Sequence, residues 1–120
     1  MPLLFVYGTL KRGKKLENFL SDALFLERGE TLKPYPLFIF PGKWYPYLLN
    51  CPGKGKRVKG EIYKIDFKTL KRIDRLEEVP WYYYRGKILV KGEKSHRSYR
   101  VWTYFHRRKN YKPHWLLEEF

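Results

Sequence analysis

One cysteine, one methionine and no glutamine stand among the 120 residues. The single Cys51 excludes an internal disulfide, so nothing in the fold depends on an oxidising compartment. Long hydrophobic runs are also missing. The opening stretch MPLLFVYGTL is far shorter than the roughly 20 apolar residues a spanning helix needs. With no basic region before it and no small-residue cleavage site after it, the stretch reads as a buried first strand, and a cytoplasmic protein is expected. Acidic residues are scarce, 12 against 26 Lys and Arg, which leaves a formal charge of +14. Several catalytic signatures are absent too: no Walker-type phosphate loop, no dinucleotide glycine pattern and no Gly-x-Ser-x-Gly elbow. His96, His106 and His114 lack zinc-ligand spacing and read instead as residues of a strand face, a turn and the tail. Cys51 lies in a Pro-Gly loop with no histidine near it in sequence, which leaves a cysteine nucleophile unsupported.

What is present describes one domain over residues 1–120, large enough to bury a core without staples. Aromatic residues make up 19%, which favours a sheet-rich fold with rings on pleated faces. Basic residues with aromatics also characterise nucleic-acid binders. Here the Lys and Arg residues are spread along the whole chain, and no RNP-like, zinc-finger or helix-turn-helix spacing accompanies them. A solvated basic surface is the better reading, with no specific nucleic acid and only low-salt attraction to polyanions. Abundant Lys and Glu beside absent Gln leans towards the charged surface of a thermophile, which does not explain the basic excess.

Along the chain, Leu3 to Tyr7 is an apolar run ended by Gly8. Leu16, Phe19, Leu20, Ala23 and Leu24 recur at helical spacing and predict a short first helix. Phe25 to Lys33, Leu37 to Phe40, Val58 to Ile65, Trp81 to Val90 and Ser98 to His106 read as strands, the last two joined by a turn over Lys91 to Lys94. Asp66 caps a second helix with Leu70, Ile73 and Leu76 on its apolar stripe, and Pro80 stops it. Residues 41–57 are rich in Pro and Gly and read as a long irregular loop, with a functional or gating role. The tail Tyr111 to Phe120 is expected to cover a sheet edge or form a last helical turn. The order of elements predicts an α+β fold: a mixed, curled β-sheet or partial barrel with two short helices.

Two places offer chemistry. Leu70, Ile73, Asp74 and Glu77 share one face of the second helix, so Glu77 extends a buried stripe. A carboxylate there is partly desolvated and its pKa rises towards neutrality, as a general base and acid requires. The alternative is a solvated Glu77 just past the last turn, paired with Lys71, Arg72 or Arg75. Glu78 points about 100° away on an ideal helix. Asp74 is closer in angle and is a candidate to orient a neighbouring group. The second place is Tyr7, Gly8, Thr9 and Leu10, where a strand ends in glycine before a polar turn. Backbone N–H groups exposed in one direction form a nest for carboxylates or phosphates. An ordinary strand-to-helix connection is the other reading.

Together these segments resemble the gamma-glutamylcyclotransferase-like family. The resemblance rests on Tyr7-Gly8-Thr9-Leu10 with Gly13 soon after, Val58-x-Gly60-x-x-Tyr63, Ile73-Asp74-Arg75-Leu76-Glu77, Tyr84-Arg85 and the aromatic-rich Val101 to Tyr104, in that order over nearly the whole chain. Ile73 replaces the usual leucine, and Glu78 stands where many members have glycine. The resemblance implies an acyl-transfer or lyase-type enzyme acting on a small gamma-glutamyl substrate. The substrate's α-amino group attacks its own γ-carbonyl and closes 5-oxoproline, releasing an amine or amino acid. It implies Glu77 as proton shuttle and the Tyr7 to Leu10 backbone as the holder of the glutamyl moiety, without metal or cofactor. Tyr63, Tyr84 and Tyr104 are candidates to line the cavity, and the Trp44 to Cys51 loop to shape its mouth. Two readings from other classes stand beside it: a non-catalytic binding module of the same fold, and a basic nucleic-acid-binding protein.

Overall fold

A computed structural model describes residues 1–14 and 16–120. Seven strands, one α-helix and two 3-10 turns alternate along them. Strand β1 (Leu3–Val6) runs antiparallel to β5 (Lys59–Lys64), from Leu3 opposite Lys64 to Val6 opposite Glu61. The other edge of β5 takes β2 (Leu24–Thr31), which pairs in turn with β6 (Tyr83–Gly92). Strand β7 (Ser98–His106) forms a long ladder with β6, from Tyr83 opposite His106 to Lys91 opposite Ser98. It returns parallel to β1 at Leu4 and Trp102, closing the order β1-β5-β2-β6-β7 into a barrel. The sheet is therefore a complete barrel, and closure leaves it no free edge.

Closure explains why β1 is a continuous apolar run. Phe5 points into the barrel with Ile62, Val90, Val101 and Phe105. Its neighbours Leu4 and Val6 point outward, where Ile65, Leu70, Ile73 and Tyr104 bury them. Helix α1 (Phe67–Leu76) thus seals the outer face of the barrel. Its start is the expected one: the Asp66 carboxylate accepts the Thr69 amide at 2.7 Å. The first helix is shorter than the periodicity implies. It is a 3-10 turn over Glu17–Leu20, because Leu16 at the N-cap position offers no side-chain acceptor and only one short turn forms.

Residues 41–57 are not wholly irregular. Strand β4 (Pro46–Leu48) pairs with β3 (Leu37–Ile39), and Phe38, Tyr47 and Leu49 form a third core with Phe40, Tyr111 and Trp115. Cys51 packs half-buried against this core. The tail meets both expectations, with a 3-10 turn over Pro113–Trp115 followed by an edge contact. The Leu117 amide donates to the Leu37 carbonyl, and the Lys59 amide to the Glu118 carbonyl, both at 2.8 Å. Among the described residues no helix is long and apolar enough to cross a membrane.

Candidate active site

Helix α1 ends in a way that fixes Glu77. The Glu78 amide donates to the Arg75 carbonyl at 3.1 Å and the Val79 amide to the Asp74 carbonyl at 3.0 Å. These two bonds form a Schellman stop, with Glu77 as C-cap and Glu78 as the residue that must turn left-handed. Glu78 indeed has φ +54. A glycine would adopt that conformation without the Cβ penalty, which gives a physical reason for glycine at this position in the resembling family. The helix therefore ends before Pro80, three residues earlier than a proline stop alone implies.

Glu77 sits just past the last turn, yet it is not the solvated, paired residue that this placement implied. Among the described residues it makes no ion pair, and it lines a cavity of about 550 Å³. Burial, and after it the neighbouring Glu78 charge, pushes its pKa up to about 7. The same cavity is lined by Tyr7, Gly8, Thr9 and Leu10, so the two segments singled out in the sequence meet in one place. Among the described residues the amides of Gly8, Thr9 and Leu10 donate to no other group, which leaves a short row of donors for an anion or oxyanion. Gly8 is required for a packing reason: a Cβ there would lie 2.9 Å from Pro46 Cγ, so a side chain would push β4 off the site.

The walls are aromatic and ordered by hydrogen bonds. The Tyr7 hydroxyl donates to the Tyr104 carbonyl at 2.6 Å, and the Tyr83 hydroxyl to the Pro46 carbonyl at 2.9 Å. Asp74 does orient neighbours: its Oδ1 accepts from the Tyr104 hydroxyl and from Arg85 Nε, each at 2.7 Å. Burial raises the pKa of Tyr7, Tyr83 and Tyr104, and the Glu77 charge adds to this at each, so the three phenols stay neutral.

Tyr104 lines the cavity, whereas Tyr63 and Tyr84 do not. Tyr63 packs beside α1 and bonds to Glu61 at 3.2 Å, and Tyr84 lies against Phe105. The mouth takes Lys43, Trp44, Tyr45, Pro46 and Tyr47 from the β3–β4 hairpin, while Cys51 is not among its lining residues. Sequence reasoning missed Tyr82, Tyr83 and His106. Tyr83 alternates with Arg85 along β6, a pattern visible in the sequence, but His106 carries no local signal because its cavity neighbours come from other strands. Among the described residues no three His, Cys, Asp or Glu side chains gather in a geometry able to hold a metal ion.

The profile of the family described as gamma-glutamyl cyclotransferase, AIG2-like matches residues 4–119. A gamma-glutamylaminecyclotransferase from Homo sapiens is 37% identical over 96% of the chain and 84% of its own length. Gamma-glutamylaminecyclotransferase B from Danio rerio is 40% identical over 97% of the chain, which spans 64% of that relative's length. In structure, the chain is similar to an AIG2-like protein from Mus musculus, with a TM-score of 0.89 at 34% identity, covering 100% of this chain and 88% of that one.

Proposed function

The chain belongs to the gamma-glutamyl cyclotransferase, AIG2-like family, and from that premise we propose that it cyclises gamma-glutamyl amides, forming 5-oxoproline and releasing an amine or amino acid. The observation that carries the reading is a carboxylate poised near neutrality, Glu77, in the same cavity as the amides of Gly8, Thr9 and Leu10, which donate to no group among the described residues.

In this reading the glutamyl moiety lies along the Tyr7 to Leu10 backbone, which donates to its carboxylate or to the oxyanion that develops at the γ-carbon. Glu77 takes a proton from the α-ammonium, and the freed amine attacks the γ-carbonyl of the same molecule. Two protons leave the attacking nitrogen between ammonium and lactam, and two arrive on the leaving nitrogen. Glu77 therefore shuttles and ends as it began. Because nucleophile and electrophile are joined, the protein mainly fixes one rotamer of the glutamyl chain and moves protons. Tyr7, Tyr83 and Tyr104, locked by their own hydrogen bonds, keep the cavity in shape around that rotamer. A reducing, cytoplasmic location accords with the free thiol of Cys51.

The test is release of 5-oxoproline from a panel of gamma-glutamyl amines, gamma-glutamyl dipeptides and glutathione. The proposal expects turnover of at least one class. A panel without any 5-oxoproline, from protein shown to be folded, would overturn it.

A further inference from the structure

We propose that Glu61 is a positioning residue for this site: it holds both ends of the Tyr7 to Lys11 turn, so that the Gly8, Thr9 and Leu10 amides face the cavity as one row of donors. This rests on the cyclotransferase reading and extends it to the residue that keeps the anion-holding backbone in place.

Glu61 lies on β5 and is buried, yet it does not line the cavity, so it acts there only through other residues. In the β1–β5 ladder it stands opposite Val6, the last residue of β1, where the chain leaves the barrel for the turn. The chain returns to the same residue when the turn is complete: the Arg12 amide donates to Glu61 Oε1 at 2.9 Å. Between these two ties the turn closes on itself. The Lys11 amide donates to the Gly8 carbonyl at 3.0 Å, and the Leu16 amide to the Thr9 carbonyl at 2.8 Å. In a trans peptide the C=O and the N–H that follows it point in opposite directions. Each engaged carbonyl therefore aims the next amide, that of Thr9 or Leu10, the other way. A row of donors fixed before its ligand arrives loses little freedom on binding.

The bond to main chain, rather than the ion pair, sets the backbone. The Arg12 side chain is 58% exposed, so its Nε contact with Glu61 Oε2 at 3.4 Å counts for little. The Arg12 amide instead meets a buried carboxylate, where a charge-assisted hydrogen bond is strong. The Tyr63 hydroxyl steadies the same Oε1 by donating to it at 3.2 Å. Lys11 is tied as well, its Nζ 3.4 Å from Glu119 Oε2. A flexible stem separates that contact from the backbone, and Glu119 lies closer to Arg28, at 2.6 Å. Val6 and Tyr63 belong to an apolar cluster that an aliphatic side chain at position 61 would join without desolvating a charge. What the carboxylate adds is its hold on the Arg12 amide.

The test compares three variants, each shown to be folded by circular dichroism, for binding of 5-oxoproline by calorimetry and for the backbone amide cross-peaks of Gly8, Thr9 and Leu10 by NMR. Glu61→Met keeps the volume and removes the acceptor, with Glu61→Ala in its place should the thioether prevent folding. It is expected to bind 5-oxoproline about tenfold more weakly, the worth of one charge-assisted hydrogen bond, and to shift the three cross-peaks. Glu61→Gln, whose carbonyl oxygen still accepts from the Arg12 amide, should stay within about threefold of the unmodified protein. Glu27→Gln is the control: it alters a buried carboxylate bonded to the β6–β7 turn, away from the Tyr7 to Lys11 turn, and should leave both readouts unchanged. Unchanged affinity in Glu61→Met, or an equal loss in Glu27→Gln, overturns the assignment. Failure of the cyclotransferase reading is a separate result, in which the unmodified protein neither binds nor releases 5-oxoproline. The spectra then decide alone: cross-peaks that move in Glu61→Met and not in Glu27→Gln support Glu61 as the holder of the row, and cross-peaks that stay in place in both overturn it.

Discussion

At the scale of single residues, Glu77 and Glu78 are coupled by backbone geometry as well as by charge. The Schellman stop obliges residue 78 to turn left-handed, and a glutamate there carries a steric cost and a like charge beside the proposed base. Replacing Glu78 by Gly should therefore do two things at once. Thermal or urea unfolding should show a gain of about 1 kcal/mol from removal of the Cβ penalty. The acid limb of the activity profile should move to lower pH, because one of the two causes that raise the Glu77 pKa has gone. A variant whose acid limb stays in place would mean that burial alone sets the base. The candidate site is legible in sequence at this scale only in part. Helical spacing places Glu77 beside Leu70 and Ile73, but spacing also allows a solvated glutamate paired with Arg75. The cavity decides between these, and it is built from β1, β4, β6 and β7 as much as from α1.

At the scale of elements, the turn between β6 and β7 shows what local pattern does not reveal. Glu27 on β2 reads in sequence as a polar residue of an alternating strand. In the fold it is buried, and its carboxylate accepts from Ser95 Oγ at 2.5 Å, the Tyr99 hydroxyl at 2.7 Å and the Lys94 and Ser95 amides at 2.9 and 3.0 Å. Those donors, led by the Ser95 hydroxyl, hold its pKa down to about 2. The partners lie 67 to 72 residues away and meet Glu27 only once the barrel closes, so no window of sequence contains the cluster. Because the folded pKa lies below the ordinary 4.5, this stabilisation is complete above pH 4.5 and is lost as pH falls towards 2. Glu27→Gln should cost about 1–3 kcal/mol at neutral pH, since the amide nitrogen faces donors. Its melting temperature should also fall less steeply than that of the unmodified protein on acidification. The helices show the same limit from the other side. Asp66 announces α1 through a capping bond, whereas the apolar spacing from Leu16 to Leu24 lacks a cap and yields one 3-10 turn.

At the scale of the whole molecule, the sequence order of strands and helices supports an α+β fold with a curled sheet. Whether the sheet closes depends on β1 meeting β7, with Leu4 alongside Trp102 and the Thr103 hydroxyl donating to the Phe5 carbonyl, nearly a chain length apart. Alternation within β1 or β7 carries no information about which strand lies alongside. The net charge of +14 belongs to this scale as well. Heparin or duplex DNA should bind at low ionic strength and release as salt approaches 0.15 M, where screening shortens electrostatic reach to about 8 Å. Retention at that salt would require a built nucleic-acid surface in addition to diffuse charge.

An intramolecular cyclisation in this cavity requires Glu77 as its proton shuttle. The most direct measurement is 5-oxoproline release from one gamma-glutamyl substrate by the unmodified protein and by Glu77→Gln, across pH 5 to 9. A base with pKa about 7 is protonated and inactive below that value, so the rate should rise through pH 7 and then level. Glu77→Gln, folded by circular dichroism, should be slower by about 10²–10⁴-fold and lack the rise near pH 7. Turnover retained in Glu77→Gln, with the same pH profile, would contradict the account.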